Sequence, residues 1–300
     1  MAQRRLDRYK PYDKTDPESI LFRASALTNR TLRDFIEIGE VVIGGTNTKG
    51  TFGQTVESGY FLISNNASPL PDFREAGIEL KVTPMKNVGT KLVSKERLVL
   101  GIINYDEVPT RHFEIFTDKD SRILIVFYLW EENTDIYDYK FLKVVDWTPT
   151  PEELHMIRED WDIIEGYVMR GEAHLLSERH TKYLAANTKG VGHGRDLRSQ
   201  PFSDVPAKQR ALSFKASFMT SLYHTHKDIN DLMKTIEPTD IASILHGEWP
   251  DDETFEEHIV RYYDRFIGKS CEEIEHMLGI NLKDDSILNG LGRRPSWSSL

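Results

Sequence analysis

Residues 122–128 read RILIVFY, a short run that is almost entirely apolar and rich in β-branched and aromatic side chains. A run of this length and composition predicts a central β-strand that is covered on both faces. Together with three further segments of strand character it predicts strands at residues 78–83, 98–104, 121–129 and 139–146. A sheet is therefore expected at the centre of the fold.

Helices are predicted on either side of these strands. Thr150 and Glu153 can form a capping box around Pro151, and Gly171 follows the apolar periodicity, so a helix is expected between them. Other helices are predicted near residues 17–27, 32–38, 52–57 and 172–183, with one more core element at 214–223. Residues 185–210 are polar and predict a long connection. The expected fold class is α/β, a mixed sheet flanked by helices in an α+β arrangement.

The composition limits where the protein acts. The chain has 300 residues, 39% of them hydrophobic, and a single cysteine, Cys271, which fits a reducing compartment. The first residues, MAQRRLDRYK, lack the apolar core of a signal peptide, and no apolar run approaches the ~20 residues of a membrane helix. We therefore expect a cytoplasmic protein that does not enter a membrane.

The charge is distributed unevenly along the chain. The formal net charge is −10, which argues against a passive binder of polyanions. Residues 182–215, however, contain seven basic side chains against two acidic ones. Such a local tract can face a phosphate backbone. A solvated basic loop is the alternative, and charge by itself does not separate the two.

A change of composition near His246 predicts a domain boundary. The stretch GEWPDDE (247–253) is typical of a linker, and amphipathic helices are predicted after it at 255–266 and 271–278. The sequence is therefore divided into a main domain, residues 1–245, and a helical segment, residues 246–300.

The stretch PDFREAGIELK (71–81) places ionisable side chains around the first predicted strand. Side chains alternate along a strand, so Glu79 and Lys81 share one face, about 6–7 Å apart. A turn at Ala76-Gly77 can return Asp72 to the vicinity of Glu79. Two carboxylates and the Leu80 main-chain carbonyl would form an all-oxygen site that suits Mg²⁺ better than zinc.

Lys81 has a clear use beside such a site. It can orient or help deprotonate a metal-bound water and offset the charge that develops on a phosphoryl group. By itself this pattern is a weak signal, because an exposed Glu-x-Lys pair is common on half-buried strands. Its meaning depends on the rest of the chain.

Five ordered blocks supply that context: GTFGQTVE (50–57), PDFREAGIELKVTP (71–84), SKERLVLGIINY (94–105), IREDWDIIEGYVMRGEAHLLSERHTKYLA (157–185) and PAKQRALSFKASFMTSL (206–222). Together they resemble the family of the mismatch-repair endonuclease MutH and the Sau-type restriction endonucleases that cut at GATC, within the PD-(D/E)xK nucleases. The likeness is closer to the Sau-type enzymes and covers roughly residues 20–225. It implies a restriction-endonuclease-like core.

The resemblance assigns roles by position. Asp72, Glu79 and Lys81 fall on the family's catalytic positions, and Glu57 falls on a glutamate that assists metal binding. One or two Mg²⁺ ions held by Asp72, Glu79, the Leu80 carbonyl and Glu57 are implied. Contacts with double-stranded DNA are implied for Lys189, Lys215, Arg198, Lys208, Arg210 and Lys119. Lys119 matches more loosely, and its alternatives are a further active-site lysine or an exposed loop residue.

The implied function is a magnesium-dependent type II restriction endonuclease that cuts GATC and leaves 5′-phosphate and 3′-hydroxyl ends. Ser213 stands where MutH has a tyrosine, which argues against methylation sensing by the MutH route. A MutH-like mismatch-repair nickase and a non-catalytic DNA-binding module are the alternatives. Full-length Sau-type enzymes resemble two MutH-like halves, so residues 246–300 are expected to lead toward a missing regulatory C-terminal region. Dimerisation on DNA is the other route to a double-strand cut.

Overall fold

The computed structural model describes residues 12–41, 51–64, 70–190 and 196–234. The helices are α1 (Pro17–Ser25), α2 (Leu32–Glu37), α3 (Thr51–Gln54), α4 (Val108–Arg111), α5 (Glu114–Asp120), α6 (Pro151–Met169), α7 (Ala216–Thr225) and α8 (Ile229–Lys234). The strands are β1 (Glu79–Val88), β2 (Lys91–Ser94), β3 (Leu98–Ile102), β4 (Ile123–Leu129), β5 (Phe141–Trp147), β6 (Leu184–Thr188), β7 (Leu197–Gln200), β8 (Ser203–Lys208) and β9 (Arg210–Phe214).

The main sheet has the strand order β2-β1-β4-β5. Strands β1 and β4 run parallel, with Glu79 opposite Ile123 and Lys81 opposite Ile125. The outer strands β2 and β5 pair antiparallel with them, so the predicted mixed sheet is confirmed. The helices that cover it confirm the α+β arrangement, which is consistent with a restriction-endonuclease-like core.

Strand β4 is covered on both faces, as the RILIVFY stretch predicts. Leu124 and Val126 belong to a core cluster with residues of α1, α2 and the segment 52–61. Ile123, Ile125 and Phe127 belong to a second cluster with residues of α6 and α7. All five side chains are 0% exposed, and each such burial contributes roughly 1.5–3 kcal/mol to stability.

Helix α6 begins and ends where its sequence signals predict. The Thr150 hydroxyl accepts from the Glu153 amide at 3.2 Å, and the Glu153 carboxylate accepts from the Thr150 amide at 2.9 Å. Gly171 follows the helix at φ +68°, a conformation that favours glycine. A Cβ atom there would lie 2.5 Å from the Phe202 carbonyl oxygen, so the turn between β7 and β8 packs closely against this end.

Residues 172–210 differ from the prediction. The helix expected at 172–183 is replaced by two short 3₁₀ turns, Ala173–Leu175 and Glu178–His180. The long connection expected at 185–210 contains β6, the β7–β8 hairpin and the start of β9. Most β7 and β8 side chains are exposed, so their sequence lacks the apolar alternation by which strands are recognised.

A second sheet accounts for the strand expected at 98–104. Strand β3 ends at Ile102 and joins β9 and β6 in the order β3-β9-β6, separate from the main sheet. The core element expected at 214–223 is the end of β9 followed by α7.

The chain divides into two compact units, Met1–Met233 and Lys234–Leu300. The helical segment predicted at residues 246–300 lies outside the described residues, and the domain boundary at 245 stays a prediction. No helix among the residues described combines the length and the apolar character that crossing a membrane requires.

Candidate active site

A tight turn brings Asp72 back to the start of β1, as the Ala76-Gly77 turn predicts. Phe73 and Ile78 form an antiparallel bridge, with N–H···O distances of 2.9 Å and 3.2 Å in the two directions. Gly77 has φ +65°, which this turn requires. The Asp72 amide then donates to Oε2 of Glu79 at 3.1 Å, and Oδ2 of Asp72 accepts from the Leu80 amide at 3.1 Å.

The alternation of β1 separates core side chains from site side chains. Ile78 and Leu80 are fully buried in the core beneath the sheet. Glu79 and Lys81 point to the other face, where the Glu79 side chain is 1% exposed and the Lys81 side chain 18%. The plain alternative of a solvent-exposed Glu-x-Lys pair is therefore wrong for this strand.

Two lysines converge on one oxygen of Glu79. Nζ of Lys81 donates to Oε1 of Glu79, and Nζ of Lys119 lies 3.3 Å from the same oxygen. Lys119 comes from the end of α5, just before β4, whose first residue pairs with Glu79. It therefore lies beside Glu79 and Lys81, which fits the interpretation of Lys119 as a lysine of the candidate site better than that of an exposed loop residue.

Glu57 approaches the same group from a π-helical turn, Thr55–Tyr60, that continues α3. π-helical turns are rare and occur often at functional sites. Burial, together with the charges of Asp72 and Glu79, raises the pKa of the Glu57 carboxyl to about 7 against the opposing charges of Lys81 and Lys119. The mutual influence shows that Glu57 lies close to the other ionisable groups.

The charge states of Glu79 and Lys81 depend on each other. Burial raises the pKa of Glu79, the Lys81 charge opposes this rise, and the Asp72 charge adds to it. Burial lowers the pKa of Lys81, but the charge and hydrogen bond of Glu79, with further help from Asp120 and Asp72, leave it above its ordinary value. Lys81 is therefore an ammonium group near neutral pH, suited to orienting or stabilising negative charge and unsuited to accepting a proton.

One residue of this group was missed from the sequence. Asp120 ends α5 with 3% of its surface exposed, and burial raises the pKa of its carboxyl to about 7. The Lys81 and Lys119 charges oppose that rise. In the sequence TDKDSR (117–122) it looks like one more solvated charge at a helix end, and only its burial in the fold distinguishes it.

The donor atoms fit a magnesium ion. Asp72, Glu79 and Glu57 offer carboxylate oxygens and Leu80 a main-chain carbonyl, which are the hard ligands that Mg²⁺ prefers. Within the described ranges, no three His, Cys, Asp or Glu side chains are grouped so as to hold a metal ion by themselves. A site with few protein ligands suits Mg²⁺, which keeps several of its waters. Asp120 and these three carboxylates outnumber the two ammonium groups, so an added cation would be electrostatically favoured.

The residues predicted to contact DNA differ in how exposed they are. Three of them are exposed: Lys189 just after β6, Arg198 on β7 and Lys208 on β8. Lys215 is half-buried at the N-cap of α7, where Nζ donates to the Thr181 carbonyl. It lines a cleft of about 470 Å³ together with Lys95, Arg97 and Glu178.

Arg210 is a correction to that set. Its side chain is buried, with 6% exposure, and its guanidinium donates to the carbonyls of Ala186, at 2.8 Å, and Leu176. Burial lowers its pKa. A side chain held in this way supports the second sheet and does not reach toward DNA.

Ser213 also faces the interior. It is 0% exposed on β9, and its hydroxyl donates to Oδ1 of Asn187 on β6. The position that carries a tyrosine in MutH is therefore closed to solvent in this chain.

Known proteins resemble this chain in the same region. The family model described as "DNA mismatch repair enzyme MutH" matches residues 61–160. The type II restriction enzyme Sau3AI of Staphylococcus aureus is 34% identical over 243 residues, which are 78% of this chain and 47% of that enzyme. The DNA mismatch repair protein MutH of Shigella boydii is 24% identical over 221 residues, which are 70% of this chain and 92% of that protein. The chain thus spans about half the length of the restriction enzyme.

Proposed function

We propose, from the match of the MutH family model to residues 61–160, that this chain is a magnesium-dependent type II restriction endonuclease acting on double-stranded DNA. The observation that supports this proposal most is the convergence of Asp72, Glu79 and Lys81. The Glu79 carboxylate accepts from the Asp72 main-chain amide over 3.1 Å, and Lys81 donates to Glu79. A binding module without catalysis has no need of this arrangement.

In this proposal Asp72, Glu79, the Leu80 carbonyl and Glu57 would hold one or two Mg²⁺ ions. Bound Mg²⁺ supplies charge neutralisation and a water of lowered pKa. Lys81, as an ammonium group, orients the attacking water and stabilises charge on the phosphate oxygens. In-line displacement then leaves 5′-phosphate and 3′-hydroxyl ends.

The test of catalysis is the digestion of a sequenced plasmid with Mg²⁺. Wild type should cut, and Glu79→Gln should not, because the substitution removes a charge from the centre of the site. Glu75→Gln is the matched control, since Glu75 is exposed on the same turn. If wild type and Glu79→Gln both bind DNA and neither cuts, the protein is a DNA-binding module.

The target sequence is proposed to be GATC, by analogy with the Sau-type resemblance. Lys189, Arg198, Lys208 and Lys215 are proposed to contact DNA, with base reading in the major groove, where all four base pairs are distinguishable. Mapping the fragment ends tests this point. Fragment ends at other sequences would reject the GATC target but not the proposed nuclease activity.

The rival function is a mismatch-repair nickase. The buried Ser213, hydrogen-bonded to Asn187, counts against a MutH-like sensor of methylation, as does the higher identity to the restriction enzyme. Parallel digestion of unmethylated, hemimethylated and fully adenine-methylated GATC duplexes separates the two. We expect equal rates on all three, whereas a nickase would prefer the hemimethylated duplex.

A double-strand cut requires a second catalytic group or a second visit. One Asp72–Glu79–Lys81 group serves one strand, so we propose either a second copy on DNA or a partner half of the kind expected beyond residues 246–300. Sedimentation of Glu79→Gln with a single-site duplex, with Mg²⁺ present, measures the number of chains bound. We expect the protein to act in the cytoplasm, where the DNA that it would cut is found.

A further inference from the structure

The Asp120 carboxylate is buried without a hydrogen bond to one of its oxygens. The residue is 3% exposed, and among the described residues Oδ1 has no hydrogen-bond partner. A buried polar atom in this state costs free energy, and for a carboxylate the cost is larger. Native proteins contain few such atoms, so this one requires an explanation.

Its position connects Asp120 with Lys81. Asp120 stands next to Lys119, and the chain enters β4 three residues later, opposite Glu79. The Asp120 charge raises the pKa of Lys81 more than the Asp72 charge does. Lys119, the neighbour of Asp120, lies 3.3 Å from the Glu79 oxygen to which Lys81 donates, so Asp120 and Lys81 belong to one group of charges around Glu79.

Glu79 already has three polar partners before any cation binds. Oε2 accepts from the Asp72 amide, and Oε1 accepts from Lys81 and lies 3.3 Å from Nζ of Lys119. A carboxylate that ligates a divalent cation gives up charge that would otherwise hold an ammonium group. Lys81 then needs another anion to keep its place.

We propose that Asp120 is a positioning residue, a second anchor that holds the Lys81 ammonium when Glu79 turns to a divalent cation. Its free oxygen is the acceptor that Lys81 can take, and its burial keeps that acceptor out of competition with water. This role rests on the proposed magnesium-dependent cleavage. Sequence resemblance assigns nothing to this position, and the mechanism above does not use it.

The test compares Asp120→Asn with Asp118→Asn, an exposed carboxylate on the same helix. We expect Asp120→Asn to lower kcat for duplex cleavage by about tenfold to a hundredfold, the range for a misplaced catalytic group, with little change in KM for DNA. Its Tm should stay level or rise, because a buried charge becomes a neutral amide of the same shape. Asp118→Asn should change none of these. A merely structural role would instead lower Tm together with activity.

A second measurement does not depend on cleavage. Calorimetric titration with Mg²⁺ alone should show weaker binding to Asp120→Asn than to wild type, because Lys81 continues to compete for Glu79. In a Lys81→Met background the same substitution should have no further effect on Mg²⁺ affinity, since the competing ammonium group is already absent. Equal losses in both backgrounds, or unchanged kcat in Asp120→Asn, would overturn the assignment. A wild type that binds Mg²⁺ with this coupling but never cuts DNA would reject the endonuclease function alone.

Discussion

Asp72 and Glu79 hold each other through the main chain: the Asp72 amide donates to Oε2 of Glu79, while the Asp72 carboxylate accepts from the amide next to Glu79, each over 3.1 Å. The two carboxylates are thus fixed by one short turn. Movement of the turn would displace both potential ligands together. The geometry of the site therefore depends on Gly77, the residue of the turn with φ +65°.

Substitution of Gly77 by alanine should impair cleavage through the backbone. An alanine at this φ costs about 1–2 kcal/mol, and no atom lies within 4 Å of the added Cβ, so strain is the main effect. Gly89→Ala is the matched control, because Gly89 has φ +60° with equally open surroundings, between β1 and β2. Thermal melts should show similar losses of stability for both variants, while single-turnover cleavage should fall only for Gly77→Ala. Equal activities would mean that the turn does not set the site geometry.

Mg²⁺ should stabilise the protein more at about pH 8 than at about pH 6. The pKa of Glu57 is raised from 4.5 to about 7 and that of Asp120 from 3.8 to about 7. A carboxyl whose pKa is higher in the folded than in the unfolded state contributes to stability below its unfolded pKa. That contribution is lost as the pH rises from the unfolded pKa through the folded pKa. Cation binding requires the ionised form, so it offsets the loss at high pH.

The measurement is the shift of Tm on adding Mg²⁺ at the two pH values. In Glu57→Gln the difference between the two shifts should shrink, because one titrating group is removed. A shift that is the same at both pH values would contradict the assignment of Glu57 to the cation site and of Asp120 to the group of charges around it.

The two lysines should contribute unequally to cleavage. Lys81 donates directly to Glu79 and lies near three carboxylates, whereas Nζ of Lys119 stands 3.3 Å from Glu79. Lys81→Met should lower single-turnover cleavage by about 10²–10³-fold, the range for loss of one charge-stabilising donor, and Lys119→Met by less. Lys91→Met, an exposed lysine on β2, should leave the rate unchanged. A larger loss of cleavage rate in Lys119→Met than in Lys81→Met would mean that Lys119 is the main charge-stabilising lysine.

Arg210 and Lys208 should separate stability from DNA binding. Arg210→Met should destabilise the fold by about 2–4 kcal/mol, because two buried carbonyls lose their charged donor. Lys208→Met should leave Tm unchanged and reduce the slope of log affinity against log salt by about 1, as expected for one lost phosphate contact. Fluorescence anisotropy on a GATC duplex, in the Glu79→Gln background, measures the slope. A reduced slope in Arg210→Met at unchanged Tm would restore Arg210 to the DNA interface.

Local sequence signals predicted the parts of the fold that local forces determine. Three features depend on only a few neighbouring residues: the caps of α6, the apolar run of β4 and the turn that returns Asp72. The structure has each of them where the sequence predicts it. The β7–β8 hairpin was missed because its side chains are mostly exposed. Its place is fixed by Gln200, whose side chain accepts from the Ala173 amide at 2.7 Å, a contact that no neighbouring residue reveals.

The candidate site divides in the same way. Asp72, Glu79 and Lys81 lie within one short stretch, so alternation and a turn suffice to bring them together. The sequence does not single out Asp120 and wrongly places Arg210 at the DNA interface, because charged residues are ordinarily exposed and the burial of these two depends on strands distant in the sequence. The π-helical turn that carries Glu57 has no sequence signature beyond that of a helix.

The parallel pairing of β1 and β4 has a consequence for the host cell. Glu79 lies at the start of the first of these strands and Lys119 comes just before the second, so the two meet only after distant parts of the chain have joined. Such long-range pairing is a late event for a chain leaving the ribosome. Under the proposed function, nascent or half-unfolded molecules would lack the assembled site, and cleavage of DNA would begin only after folding.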